Sequence, residues 1–150
     1  MLQRNMSLSD FFPDYAIDFL MRPTRRQRIG MAVLLVLMLI NLFYHGAQPY
    51  AVGLFLPPWD KVVHSIFFGG IAGFIWVILG NQVAWMVVAS VAAIGAADEI
   101  AQHFHPGRSA DFLDWTADVA AAALAVAILI AIKRSAENQG AQPVAERPAQ

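Results

Sequence analysis

Four long apolar segments divide the chain, and each is close to the roughly 20 residues that an α-helix needs to cross a bilayer. They cover about 29–45, 60–79, 83–103 and 112–132. Between them lie a loop with Pro49 and a proline pair, a turn that begins at Gly80, and a break at Pro106-Gly107. The pattern predicts an all-α membrane protein whose transmembrane domain, 29–134, is a four-helix bundle.

The two flanking segments, 1–28 and 135–150, follow different patterns. In the first, apolar residues recur at steps of three and four on one face of a short helix, with Asp10 as its cap and Pro13 in its first turn. We expect this helix to lie at the membrane surface, although a partly ordered tail fits equally well. Its apolar positions are Leu8, Phe11, Phe12, Tyr15 and Phe19. The C-terminal segment is rich in Ala, Gln, Pro and Glu and is predicted to be disordered.

Composition agrees with a membrane protein. The chain is 58% hydrophobic and 14% charged, whereas soluble domains average about 45–50% and 25%. A net charge of −1 gives no general attraction to nucleic acid, and the absence of cysteine excludes disulfides and thiolate metal sites. We expect membrane lipids as partners, no nucleic acid and no cofactor.

The basic residues are distributed asymmetrically about the four predicted spans. Eight of the ten lie before the first span or after the last, and only Lys61 and Arg108 lie on the other side. By the positive-inside rule, both termini are expected in the cytoplasm of a multi-pass protein of the cell inner (cytoplasmic) membrane.

Polar residues then gather near the predicted outer face, in the stretch from Asp98 to Asp114 and at the start of the second span. With His45 at the end of the first span and Asp118 in the fourth, all four histidines and six of the eleven acids lie near this face. Charged groups within a bilayer are costly, so such residues are functional-site hypotheses by default.

Helical spacing places these polar residues on three stripes that can face one another. The pairs and triplets that share a stripe are Asp60 with His64, Lys61 with His64, Asp98 with Gln102, Glu99 with His103, and Asp111 with Asp114 and Asp118. At a rise of about 1.5 Å per residue, the stripes reach similar depths. They are therefore expected to converge on a pocket that opens outward, with Asp118 as its floor.

The chemistry of this predicted pocket leaves several roles open. Glu99 or Asp98 is the candidate general acid or base and His64 its partner. Arg108 suits either an anionic group, which it can hold in bidentate fashion, or the role of counter-ion to Asp98 or Glu99. The candidate substrate-binding residues are Arg108, Asp60, Lys61, Gln102, Asp114 and Asp118.

Structural interpretations compete with these roles. Asp111 fits the N-cap of the fourth span and Asp114 its first turn, and Asp60 and Lys61 fit ordinary interfacial charges. His103 and His105 are more typical of loop residues than of ligands. His64 with carboxylates has the donor types for a divalent metal, but no metal-site signature specifies one.

At these residues the chain resembles the VanZ-like family of small bacterial integral membrane proteins. The matching elements are Asp60-Lys61-x-x-His64, Asp98-Glu99-x-x-Gln102, Phe104-x-Pro106-Gly107-Arg108-Ser109 and Asp114, within about residues 60–125. The chain departs from the family pattern at Asp118, where the family usually has Asn, and at Ala121, where it usually has Gly. The resemblance implies work at the cell envelope. The namesake's association with teicoplanin resistance does not transfer to this chain.

Two functions are compatible with the sequence. In the first, the outer-face pocket binds or acts on a lipid-linked or cell-wall-related anionic molecule. In the second, the protein is a non-enzymatic accessory or assembly subunit of a larger membrane complex, since Gly69-Gly70-x-x-Gly73 and an Ala-rich fourth span suit close helix contacts. Cation transport is less favoured because no charge continues towards the cytoplasmic side of the middle spans.

The orientation generates a direct prediction, because the chain contains no cysteine. A single cysteine at Gly107 should react with a membrane-impermeant thiol reagent applied to intact cells, whereas one at Asn81 should react only after lysis. The reverse labelling pattern would contradict both the orientation and the outer-face site.

Overall fold

The computed structural model describes residues 11–56, 59–80 and 83–140. Within these ranges all regular secondary structure is helical. The helices are α1 (Asp14–Met21), α2 (Arg25–Gly46), α3 (Trp59–Leu79), α4 (Ala84–His103) and α5 (Phe112–Gly140), with a short 3₁₀ turn at Pro49–Ala51. The helices α2 to α5 are long and apolar enough to cross a membrane. The predictions of an all-α fold and of four spans are therefore confirmed.

The helix α2 begins about one turn before the predicted boundary. Thr24 forms a capping box with Gln27: the Thr24 hydroxyl accepts from the Gln27 amide, and the Gln27 side chain accepts from the Thr24 amide. This reciprocal pair satisfies backbone donors that the start of a helix leaves free. The basic residues Arg25, Arg26 and Arg28 therefore form the first turn of the helix.

The helix α5 differs more, because it continues to Gly140. Residues 135–140, predicted to be disordered, are helical, while residues 141–150 lie outside the described part of the chain. No Gly or Pro occurs between Phe112 and Gln139, and the alanines of this segment are strong helix formers. Helix propensity thus extends α5 beyond the end of the apolar run.

The short helix α1 exists, but Pro13 and not Asp10 occupies its N-cap position; Asp10 and Leu8 lie outside the described residues. It packs on α3 and α5 through Phe19 and Leu20, and the Trp76 indole donates to the Leu20 carbonyl at 3.2 Å. The predicted apolar face is divided, since Phe19 contacts the core whereas Tyr15 is exposed.

The core lies mainly along α3, whose most extensive contacts are with α5. Facing side chains come from α4 and α5, whereas none of the residues of α2 is buried. The buried apolar residues include Phe68, Ile71, Ala72, Ile75, Trp76 and Val77 of α3, Val87 and Val91 of α4, and Ala122, Val126 and Leu129 of α5. The helix α2 is therefore a peripheral span and α3 the central one.

The bundle has two ends, and a contact between α2 and the residue after α3 lies at one of them. The Arg28 guanidinium lies against Gly80, where a Cβ atom would come within 2.6 Å of its Nη2. Gly80 also has a φ of 73°, which favours glycine. This end carries α1 and the start of α2. The opposite end, here called the distal end, comprises the end of α2, the start of α3, the end of α4 and the start of α5.

Candidate functional site

An ion-pair cluster joins α3 and α5 at the distal end. The Lys61 ammonium donates to the Asp114 carboxylate and lies 3.8 Å from Asp111 Oδ2. The side chains of Lys61 and Asp111 are each 43% exposed, so solvent screens the interaction and limits it to about 1 kcal/mol. Lys61, proposed from the sequence as an interfacial or substrate-binding charge, therefore holds the two helices in register.

Glu99 holds the start of α5 against the end of α4. Its Oε2 accepts a hydrogen bond of 2.6 Å from the backbone amide of Asp111, and the side chain of Asp111 accepts from the Leu113 amide at 2.8 Å. Asp111 is thus the N-cap of α5, as the structural interpretation predicts. The residue Glu99 is buried, and half of its carboxylate serves this contact.

Arg108 makes a contact that neither sequence hypothesis anticipated. Its Nη1 donates to the carbonyl oxygen of Gly46, the last residue of α2, at 2.8 Å. Within the described chain it forms no direct ion pair with Asp98 or Glu99, although its charge lies within electrostatic range of Asp98. The contact satisfies a carbonyl that the helix end leaves free. Guanidinium donors beyond this one remain to hold an anion.

The neighbouring Gly107 has a φ of 83° and lies against the side chain of Val52. Together, Gly107 and Arg108 attach the loop after α2 to the turn before α5. Because a cysteine at Gly107 would be strained, the exposed Ser109 is the better labelling position for the topology experiment.

His64 and Asp118 meet between α3 and α5. His64 Nδ1 lies 3.6 Å from Asp118 Oδ1, and the imidazole stacks on Phe68 with a ring-centroid distance of 5.9 Å. Asp118 is completely buried. Neither of its oxygens, nor His64 Nδ1, finds a hydrogen-bond partner among the described residues. The two side chains are therefore neighbours without a hydrogen bond, and these polar atoms have no hydrogen-bond partner among the described residues.

Asp98 is buried near this pair, but one of its carboxylate oxygens has a hydrogen-bond partner. The Gln102 side-chain amide donates to Asp98 Oδ2 at 2.9 Å, a contact that uses the i, i+4 spacing seen in the sequence. Gln102 therefore supports a carboxylate of its own helix. This contact leaves Asp98 less free than Asp118 to meet a ligand.

The main chemical feature of the distal end is a set of buried polar atoms without a hydrogen-bond partner in the described chain, here called orphan atoms. They are Asp60 Oδ1, His64 Nδ1, Glu99 Oε1, Asp118 Oδ1 and Asp118 Oδ2. A buried polar atom without a partner costs about 1–3 kcal/mol. Helices α3, α4 and α5 each contribute at least one, so the distal end concentrates unsatisfied acceptors from three elements.

Histidines outside this group have local roles. His45 hydrogen-bonds to Tyr50, and His105 Nδ1 lies 2.5 Å from the Ala101 carbonyl oxygen. His103 contacts the ring of Phe104. Over the described ranges, no group of three His, Asp or Glu side chains is arranged to hold a metal ion.

Sequence reasoning missed three residues that shape the surroundings of Asp118. The Trp115 indole donates to the Ala92 carbonyl at 3.0 Å, Phe68 stacks on His64, and Gly95 leaves room for α5 to approach α4. A Cβ at Gly95 would lie 3.3 Å from Trp115 Cδ1 and 3.4 Å from Asp118 Oδ2. In the sequence, the only signal for these surroundings of Asp118 is its i, i+3 spacing from Trp115.

A four-span helical membrane protein with a buried polar cluster at one end is thus the class that fold and site define. Comparison with protein families identifies the particular one: the VanZ/LLP1 model matches residues 16–133, and the chain belongs to that family. The match includes α1 and α2, beyond the motifs recognised in the sequence. Comparison with curated proteins gave no match, and comparison with solved structures gave none either.

The close approach at Gly95 predicts a position-specific effect of added volume. Gly95→Val should destabilise the protein by about 1–3 kcal/mol, because its side chain overlaps Trp115 and Asp118 in a packed interface. The matched control is Gly70→Val, since a Cβ at Gly70 meets no atom within 4 Å. Thermal unfolding in detergent should show a lower midpoint for Gly95→Val alone. Equal midpoints for the two variants would contradict the packing described here.

Proposed function

We propose that this protein works at the cell envelope by binding the polar head of a lipid-linked or cell-wall-related molecule at the distal end of the bundle. The observation that carries the proposal is the set of orphan acceptors on α3, α4 and α5. The asymmetry of basic residues supports placing this end on the outer side of the cytoplasmic membrane, with both termini in the cytoplasm.

The chemistry of the distal end favours a ligand with hydrogen-bond donors. Ionised carboxylates only accept hydrogen bonds, so hydroxyl or amino groups of a ligand would satisfy the free oxygens of Asp118 and Glu99. An anionic part of the same molecule, as the sequence predicts, would interact with the remaining guanidinium donors of Arg108. Lys61 contributes less, since Asp114 and Asp111 already compensate its charge.

If the bound molecule is also transformed, His64 and Asp118 are the best placed to move a proton. A carboxylate 3.6 Å from a ring nitrogen stabilises and orients the imidazole, the arrangement that general acid–base catalysis uses. Asp98 and Glu99, preferred from the sequence, are partly committed to Gln102 and to the Asp111 amide. The geometry therefore supports them as positioning residues beside the His64–Asp118 pair.

A second candidate function rests on a different observation. Lys61 with Asp114, Glu99 with the Asp111 amide, and Arg108 with the Gly46 carbonyl each join two different elements of the bundle. Such a network suits a protein whose polar residues fix helix register, as in an accessory or assembly subunit of a larger membrane complex. Close helix association in membranes also uses small residues such as Gly69 and Gly70.

The first proposal predicts that conservative changes at His64 and Asp118 abolish function without lowering the amount of the protein in the membrane. His64→Gln and Asp118→Asn each remove a charge-assisted hydrogen bond to the proposed ligand, about 1.5–3 kcal/mol, and should weaken ligand binding about 10- to 100-fold. The measurement is complementation of the envelope phenotype of a deletion strain, at matched membrane abundance. The control is Glu137→Gln, the same kind of change on α5 at the opposite end, where the side chain is exposed. Full complementation by both distal variants would contradict the proposal.

The accessory-subunit alternative makes its own prediction. After gentle solubilisation of native membranes, a tagged chain should elute from size exclusion with a fixed set of partner proteins, because its function requires them. A second tag on one of those partners should recover this chain in return. A chain that elutes only as a monomer, while still complementing the deletion, would count against the alternative.

A further inference from the structure

An open groove of about 240 Å³ lies at the distal end, beside the last turn of α4. Its walls are Ile100, His103 and Phe104, which share one face of α4 at i, i+3 and i+4, and Ala110, which precedes α5. Glu99 completes the lining. The groove therefore lies at the junction that the hydrogen bond from Asp111 to Glu99 closes.

Glu99 places a carboxylate with an unsatisfied oxygen at the edge of this groove, whose accessible surface is apolar. The residue is only 8% exposed, and its Oε1 has no hydrogen-bond partner among the described residues, while Oε2 accepts from the Asp111 amide. Oε1 is covered in this conformation. Access to Oε1 therefore requires a side-chain rotation at the groove, whose walls Ile100 and Phe104 are 62% and 77% exposed.

The charges around Glu99 determine which kind of hydrogen-bond donor would bind to its Oε1. The carboxyl groups of Asp98, Asp114 and Asp118 lie within electrostatic range of Glu99, and the nearby Lys61 is already paired with Asp114. A cation entering the groove is attracted by these groups, whereas an anion is repelled. An ammonium group, which offers three N–H donors, satisfies both requirements.

Size and position narrow the ligand further. The groove is smaller than the roughly 300–1,000 Å³ pockets that hold drug-sized molecules, so it accommodates a head group and not a whole drug-sized molecule. Its exposed apolar walls belong to the last turn of a membrane span. A ligand that reaches it from the membrane can therefore keep its hydrocarbon chain against Ile100 and Phe104.

From these features we infer that the groove binds the primary ammonium group of a membrane lipid, with Glu99 as the accepting residue. The inference rests on the proposed function, since it names a chemical class for the molecule bound at the distal end. It adds a site beside the His64–Asp118 pair. A lipid that carries both an ammonium and a phosphate group would also provide the anionic part that Arg108 suits.

The test is native mass spectrometry of the full-length chain in detergent, titrated with short-chain lipids. Dihexanoyl phosphatidylethanolamine should bind at least about tenfold more tightly than the phosphatidylcholine of the same chain length, because a quaternary ammonium has no N–H donor. Phosphatidylglycerol and free ethanolamine complete the series. Equal affinity for the first two lipids, or preference for phosphatidylglycerol, would overturn the inference, and ethanolamine binding as tightly as the lipid would refute a lipid ligand.

Two variants identify the residues responsible. Glu99→Gln keeps an oxygen for the Asp111 amide and removes the charge, so the preference for the primary amine should fall to less than about twofold. Phe104→Ala removes an exposed wall and should weaken both lipids alike, leaving the preference intact. A preference that Glu99→Gln retains would show that the amine binds elsewhere.

The lipid preference of the unaltered protein and the complementation by Asp118→Asn together separate this inference from the proposed function. If phosphatidylethanolamine shows no preference while Asp118→Asn still abolishes complementation, the ammonium site fails and the proposed function stands. If the lipid preference is found but Asp118→Asn complements fully, the groove binds lipid and the proposed role of the His64–Asp118 pair fails.

Discussion

The hydrogen bond from the Asp111 amide to Glu99 is the contact on which the distal end depends. It fixes the N-cap residue of α5 against the last turns of α4, across the turn that contains Pro106 and Gly107. Because α5 then runs along α3, its placement decides where Asp114 and Asp118 lie relative to Lys61 and His64. A buried carboxylate that accepts a backbone amide is also one of the few inexpensive ways to place an acid at membrane depth.

The polar residues of the distal end form two groups, which differ in whether their polar atoms have hydrogen-bond or ion-pair partners. Lys61, Asp111, Asp114 and Arg108 have partners on other elements and act as connections between helices. His64 and Asp118, by contrast, retain free polar atoms although Asp118 is fully buried. A purely architectural network would leave little reason to keep two unsatisfied oxygens in the core. The second group is therefore the part of the molecule from which function is best sought.

Packing explains how such a buried acid is accommodated. Gly95 lets α5 approach α4 closely enough for Trp115 to donate to the Ala92 carbonyl. Phe68 covers the other side of the pair by stacking on His64. The peripheral helix α2 buries no residue completely, but it packs partly buried side chains such as Leu35 and Leu39 against this core. Its ends are held in addition by Arg28 near Gly80 and by Arg108 at Gly46. The site thus belongs to the three-helix core, and α2 borders it.

The sequence by itself determined the four apolar spans and indicated the family, and it offered the N-cap as one of two roles for Asp111, because these depend on local properties: apolar length, motif order and capping chemistry. It also placed Asp98 four residues from Gln102, a contact within one helix. Only the tertiary structure decided that Arg108 meets Gly46, that Glu99 holds the Asp111 amide, and that Asp118 stays unsatisfied beside His64. Those outcomes depend on helix rotation and approach, which a small residue such as Gly95 controls and which periodicity along one helix does not specify. The end of α5 was predicted too early because the length of an apolar run indicates the membrane span. The helix itself continues as far as helix propensity allows.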